Sequence, residues 1–218
     1  MRALLVDDHV LFSQGLCFLL QDLDDGVTCI TASSIEAAVT TPGPFDLILL
    51  DYGLPDSQGS DGLARVLAAH EEATVAMLSG DARPGLVQEL VAQGAAGFIP
   101  KASDTPTLLH ALQTMLAGGV YLPPAALAGP AVSSEVTQAV ANLSPRQMDC
   151  LLKLVQGKRN KAIARELDVA ESTVKTHLAV AFKTLGVSSR SEAVFQVAKL
   201  GLLPSTPPAC TSDSDSLI

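Results

Sequence analysis

Four aliphatic residues closed by a carboxylate, Leu47-Ile-Leu-Leu-Asp51, form a short apolar run bounded by Gly53 and Pro55. A run of that length with turn residues behind it predicts a strand buried on both faces. Similar runs lie at 2–6, 27–31, 74–79 and 96–99. Between them the spacing changes to three and four. Leu11, Phe12, Leu16, Leu19, Leu20 and Leu23 predict a helix over 10–23. Further helices are predicted over Ile35–Val39 (capped by Ser33 or Ser34), Leu63–Ala69, Leu86–Gln93 and Thr105–Ala117. Five strands alternating with five helices predict an α/β domain, a doubly wound parallel sheet with helices on both faces.

The pattern changes after residue 118. Gly118-Gly119, Pro123-Pro124 and Gly129-Pro130, with Glu135 the one charge, mark 119–142 as a partly extended linker that lets two modules move. Ser133–Ala141 fits a short helix within it. From Leu143 the helical spacing returns. Ser144-Pro145 is a cap followed by a first-turn proline, and Gly157 ends that helix. A helix from Asn160, a tight turn at 168–171, a helix over Ser172–Leu185 and a last one through Leu200 follow. Four short helices with a tight second-to-third connection predict an all-α helix-turn-helix domain over 143–203. Residues 204–218 are rich in Pro, Ser, Thr and Asp and are expected to be disordered.

Right-handed crossovers put every strand-to-helix loop of the front domain on one sheet edge. Asp7, Asp8, Asp51, Ser79 and Lys101 all follow predicted strands, so the five converge there. Singly, each has a plain explanation: a helix cap, a turn former or a solvated charge. Together they describe a chemistry. Clustered carboxylates repel and call for a cation, and hard oxygen ligands with open positions suit Mg²⁺. A carboxylate can accept a phosphoryl group, whose oxygens a metal and an ammonium can balance.

Charge separates the two halves. Residues 1–142 carry 4 Lys+Arg against 16 Asp+Glu, whereas 143–200 carry 10 against 5. The basic half is the one suited to nucleic acid, and the opposed charges suggest a closed resting state with the front domain against the third helix. On that third helix Lys175, Thr176, Ala179 and Lys183 point outward, with Lys158, Arg159 and Lys161 flanking it for phosphate contact. An ordinary helical bundle with a solvated cationic face shares these features. No apolar stretch reaches the length of a membrane span, and the four cysteines have no paired spacing, which fits a reduced cytoplasmic protein.

The residues Leu5-Val-Asp-Asp-His9, Asp51-Tyr-Gly-Leu-Pro55, Leu78-Ser79 and Gly97-Phe-Ile-Pro-Lys101 resemble the receiver domain of two-component response regulators, over about residues 1–118. Leu143-Ser-Pro-Arg-Gln, Gly157-Lys-Arg-Asn-Lys-Ala-Ile-Ala164, Thr173-Val-Lys-Thr-His177 and Leu185-Gly-Val-Ser-Ser-Arg190 resemble the LuxR-type DNA-binding domain. The whole chain is thus similar to NarL/FixJ-type regulators. The resemblance implies a flavodoxin-like receiver phosphorylated at Asp51 by a cognate sensor histidine kinase. It implies Mg²⁺ held by Asp8, Asp51 and the Gly53 carbonyl, with Asp7 acting through water. Lys101 would contact the phosphate, and Ser79 and Phe98 would form a switch pair. Binding to double-stranded DNA follows, with a homodimer when active, Val194, Val197 and Leu200 of the last helix as its contact, and RNA polymerase as a further partner. Gln147 stands where the family usually has Glu, and Ala170 where it usually has a capping Ser or Thr, so Glu171 or Ser172 is expected to cap instead.

Two other readings share parts of this pattern. One is an Mg²⁺-dependent phosphohydrolase with an Asp nucleophile. Such enzymes usually carry a second acid two residues on, where this chain has Gly53. The chain is therefore expected to be a phosphoryl acceptor with slow autodephosphorylation at most, and no enzyme otherwise. The other is a regulator that is never phosphorylated, against which the full set of Asp7, Asp8, Asp51, Ser79 and Lys101 speaks.

Overall fold

The computed structural model describes residues 1–57, 60–127 and 134–201; the expected mobile tail and part of the expected linker lie outside these. Its front part is a five-stranded parallel sheet of β1 (Arg2–Val6), β2 (Thr28–Ala32), β3 (Leu47–Asp51), β4 (Thr74–Ser79) and β5 (Gly97–Pro100), in the order β2-β1-β3-β4-β5. Helices α1 (Val10–Leu23), α2 (Ile35–Thr40), α3 (Asp61–Ala69), α4 (Pro84–Ala92) and α5 (Thr105–Leu116) connect the strands and cover both faces. All five positions of β3 are buried, as its unbroken apolar run requires of a central strand. β5 is an edge strand, so Pro100, which has no N–H to give a neighbour, is tolerated at its end.

The strand order decides where the chemistry sits. The chain reverses direction across the sheet between β1 and β3, and ligands bind at such switch points, outside the carboxyl ends of the strands. Asp7 and Asp51 leave these two adjacent strands side by side.

Local capping accounts for several helix starts. Ser34 Oγ accepts from Ala37 N at 3.1 Å and Asp104 Oδ1 from Thr107 N at 3.0 Å. The Asp56 carboxylate accepts from Ile35 N and Glu36 N, each at 3.1 Å, and so ties the loop after β3 to the start of α2. Burial, the largest influence, works to raise this carboxyl. The two backbone hydrogen bonds and the charge of Arg65 together outweigh it and hold it below its ordinary value of 3.8. A lowered native value means a contribution present above about pH 4 and lost as pH falls through the native value. We expect Asp56→Ala to cost about 1 kcal/mol at neutral pH and to flatten the acid limb of the stability curve below pH 3.8, as read by urea melts at several pH values.

Residues 120–127 pack rather than span freely. Phe98 N donates to Tyr121 O at 2.9 Å, so the chain after α5 extends the outer edge of β5. Gly97 permits this approach, since a Cβ there would lie 3.2 Å from Tyr121 O and 3.0 Å from Met115 Sδ. The short α6 (Pro124–Leu127) buries Ala126 in the receiver-side core, and Leu122 touches the cores of both domains. The helix expected within 133–141 is α7 (Ser134–Ala141).

The back domain consists of α8 (Pro145–Val155), α9 (Asn160–Leu167), α10 (Glu171–Leu185) and α11 (Arg190–Lys199) around a core that includes Cys150, Leu154, Ile163, Val174, Leu178 and Val197. Gln147 completes a capping box: its side chain accepts from Ser144 N at 2.8 Å while Ser144 Oγ accepts from Gln147 N at 3.3 Å. The residue that departs from the usual Glu thus does the same local work. At α10 neither Glu171 nor Ser172 supplies the expected cap: the helix starts behind Ala170, which has no side-chain acceptor. Arg190 donates to Leu154 O and Lys158 O and closes the end of α8. Burial first, and then the charge of Arg159, lower its pKa to about 10.

The two domains touch through α4, α6 and α11. Phe195 of α11 is 1% exposed and packs with Leu86, Val87 and Leu90 in the receiver-side core rather than in the core of its own domain. Arg159 donates to the carbonyls of Leu116 and Ala117, the open C-terminal end of α5. Gly118 makes room for it, with φ +82° and a Cβ that would fall 2.4 Å from Arg159 Nε. Where charge suggests the front domain against α10, the structure has the two domains meeting through α11, and the contact there is apolar.

Candidate acidic site and basic helical face

At the edge of the sheet the structure brings Asp7, Asp8, Asp51 and Lys101 together. Asp7 and Asp51 are 3% and 6% exposed. Lys101 Nζ lies 2.7 Å from Asp7 Oδ2 and 2.7 Å from Asp51 Oδ2, reaching from β5 across the gap. Burial works against its ammonium form. Hydrogen bonds and charge from Asp51, then Asp7, outweigh that and hold its pKa above the ordinary value of 10.5. The Lys101 ammonium also stands 5.1 Å over the Phe12 ring. Gly53 is exposed beside the cluster and its N–H donates to Asp51 Oδ1 at 3.1 Å.

His9, which the sequence offers only as the neighbour of the acid pair, joins the cluster. Its Nδ1 lies 2.8 Å from Asp8 Oδ1 and 3.1 Å from Asp7 Oδ1, and its N–H binds Asp7 Oδ1 at 2.8 Å. Its place directly after the acid pair was the available signal. One oxygen or nitrogen from each of Asp7, Asp8, His9 and Asp51 falls within 4.8 Å of the others. Asp7 and Asp51 share the Lys101 ammonium and Asp8 lies beside them, leaving excess negative charge. Asp7 Oδ2 is buried without a well-formed hydrogen bond although Lys101 stands beside it. A hard divalent cation with some open positions fits this donor set.

Ser79 is buried, and its Oγ accepts from Asp81 N at 3.0 Å, at the loop leading into α4. Its carbonyl accepts from Lys101 N at 2.8 Å. Phe98 is fully buried with Met77 and Val87, inside the core beneath α4. The hydroxyl and the ring therefore sit between the acids and the surface that holds α11.

On α10, Lys175, Thr176, Ala179 and Lys183 are exposed as expected. So is Val180, at 43%, an apolar group on the same outward side that helical spacing alone had not singled out. Lys161 and Arg165 of α9 are exposed. Lys158 and Arg159 are differently employed. Lys158 pairs with Glu166, which also takes Lys153 at 2.6 Å, and Arg159 is committed to α5. Val194 and Val197 are 6% and 0% exposed in the core of the helical domain, with Leu200 packed against it, so α11 presents Phe195 outward instead.

Comparison with known proteins matches both halves. Residues 3–113 match the family model described as the response regulator receiver domain, and residues 141–197 that of bacterial regulatory proteins of the luxR family. The chain is 30% identical to the glycerol metabolism activator of Pseudomonas putida, over 88% of this chain and 93% of that protein. It is 31% identical to a probable transcriptional regulatory protein NarL of Mycobacterium tuberculosis, over 93% and 95% respectively. A LuxR family DNA-binding response regulator from Silicibacter pomeroyi superposes with a TM-score of 0.50 at 33% identity, covering 56% of this chain and 97% of that one. RcsB of Salmonella enterica, in a structure bound to a promoter, shares the fold at a TM-score of 0.52 and 16% identity, over 92% and 99%. Among the described residues no helix is long and apolar enough to cross a membrane.

Proposed function

This chain belongs to the LuxR-type response regulators, and from that premise we propose that Asp51 is its phosphoryl acceptor and that the state of Asp51 governs binding of double-stranded DNA by α10. The observation that carries this reading is the buried Asp51 carboxylate held 2.7 Å from Lys101 Nζ, beside Asp7 at a switch point of the sheet. An Asp51 oxygen attacks the phosphorus of a kinase phosphohistidine, the P–N bond breaks, and the imidazole leaves. Asp7, Asp8, Asp51 and the Gly53 carbonyl would hold Mg²⁺, which supplies positive charge toward the phosphoryl oxygens when bound. Lys101, already placed at Asp51, turns to the new phosphoryl group and balances its charge. Hydrolysis of the product by water is slow, and no second acid stands at Gly53 to speed a turnover reaction.

Output runs through Ser79. To reach the phosphoryl group its hydroxyl gives up Asp81 N, and that loop carries α4, the helix on which α11 rests. Release frees Phe195 and the helical domain, which then pairs as a homodimer on two half-sites. Lys175, Thr176, Ala179, Val180 and Lys183 face the major groove, and Lys161 and Arg165 the phosphates.

The test is DNA-site selection by the full chain with and without beryllofluoride and Mg²⁺, followed by binding to the selected site. Lys175→Ala is expected to weaken binding by about 1–3 kcal/mol. Lys161→Ala is expected to lower affinity for all sequences and reduce the salt slope by about one. Salt-independent binding by the wild type would overturn this assignment of α9 and α10.

A further inference from the structure

One arginine ties the two domains together by hydrogen bonds. Arg159 Nε donates to the Ala117 carbonyl at 3.0 Å, and a terminal guanidinium nitrogen donates to the Leu116 carbonyl. These carbonyls end α5, where a helix leaves them without internal partners. The chain after α5 is shaped around the incoming side chain. Gly118 turns with φ +82°, and a Cβ on it would run into Nε, Cγ and Cδ of Arg159. Next to it Gly119 meets Gly157, and a Cβ on Gly119 would fall 3.3 Å from the Gly157 Cα. The seat is open to water, and Arg159 is exposed in it.

Within its own domain Arg159 stands on the path of a duplex. It directly precedes α9, the first helix of the helix-turn-helix, and in that motif the first helix crosses the phosphate backbone. Lys161 is exposed two residues further on. We propose that Arg159 is a phosphate-binding residue of the DNA interface that the resting chain keeps seated on α5, so that docking and DNA contact compete for one guanidinium. This rests on the reading of α9 and α10 as the DNA-binding face. The α5 carbonyls offer partial charge, whereas a phosphate offers full charge on oxygens that match the planar fork. Both contacts use the same nitrogens, so the side chain serves one partner at a time. The seat holds Arg159 while the domains are docked and yields it to a duplex once α11 leaves α4.

The full chain is titrated with its selected DNA site at several salt concentrations, with and without beryllofluoride and Mg²⁺. In the activated chain, Arg159→Gln is expected to make the slope of log affinity against log salt shallower by about 0.9. Gly118→Ala keeps Arg159 but fills its seat. Without beryllofluoride it is expected to bind about 5-fold or more tightly than the wild type, and with beryllofluoride to match it. On an Arg159→Gln background the same glycine change is expected to gain nothing, since no arginine is left to evict. Arg159→Lys keeps the charge without the two-pronged fit. It is expected to show the resting gain with the slope unchanged, which keeps the test decisive should Gly118→Ala fail to fold. An unaltered slope in activated Arg159→Gln would overturn the proposal. So would the absence of a resting gain in Arg159→Lys or in folded Gly118→Ala, or an equal gain from Gly118→Ala without Arg159. A wild type indifferent to beryllofluoride would overturn the reading of Asp51 and this one together, whereas a responsive wild type with any of those failures overturns this one alone.

Discussion

Asp51→Asn is expected to reduce phosphoryl labelling by acetyl phosphate to background, with the fold intact. Asp7, Asp8 and Asp51 meet His9 and Lys101 at this edge, and Asp51 is the buried carboxylate at the end of the central strand β3. An amide is not a phosphoryl acceptor, so the loss is of the nucleophile and not of a contact. The same change removes one negative charge from a cluster in which Asp7 and Asp51 share the Lys101 ammonium and Asp8 stands close by. Relief of that repulsion predicts a melting temperature no lower than that of the wild type in the absence of Mg²⁺, and a smaller rise on adding it. Labelling that survives the substitution would remove Asp51 from its proposed role. A protein that unfolds would show it in the melt, so the two outcomes stay distinct.

The second large effect concerns the contact between domains. Phe195→Ala is expected to open the resting chain. The ring is almost fully buried in the cluster that holds Leu86, Val87 and Leu90 of α4, while the core of its own domain is built from other residues. Truncating a buried Phe costs about 3–5 kcal/mol, and 3 kcal/mol already shifts a closed–open balance by more than about 100-fold. Lys199 stands 5.0 Å over the same ring, so a little cation–π attraction is lost as well. Small-angle scattering should give a larger radius of gyration, and DNA binding should no longer depend on beryllofluoride. The four-helix domain should keep its own melting transition. A compact, beryllofluoride-dependent Phe195→Ala chain would show that α11 on α4 is not the restraint.

Much of this was legible from residue order. The run Leu47–Asp51 announced a strand buried on both sides with an acid at its end, because nothing but a central parallel strand is apolar at every position. The rule of right-handed crossovers then sent Asp7, Asp51 and Lys101 to one edge, where both carboxylates lie 2.7 Å from the Lys101 ammonium. Ser144, Pro145 and Gly157 likewise declared a helix between them, since capping is a contact between near neighbours.

What depended on the tertiary structure involved distant partners. Helical spacing marks Val194, Phe195 and Val197 alike as apolar, but not which body covers each. Only the packed chain turns the valines inward and Phe195 onto α4. A glycine- and proline-rich stretch reads as free linker until Tyr121 is found extending β5 and Ala126 filling a core. Basic charge places Lys158 and Arg159 near nucleic acid, yet Glu166 and the carbonyls ending α5 take them first. By itself the sequence determined the elements, the acidic edge and the basic helix, because periodicity, capping and crossover handedness act locally or by rule. The joining of the two domains was decided only in three dimensions, because an apolar side chain carries no mark of which surface will cover it.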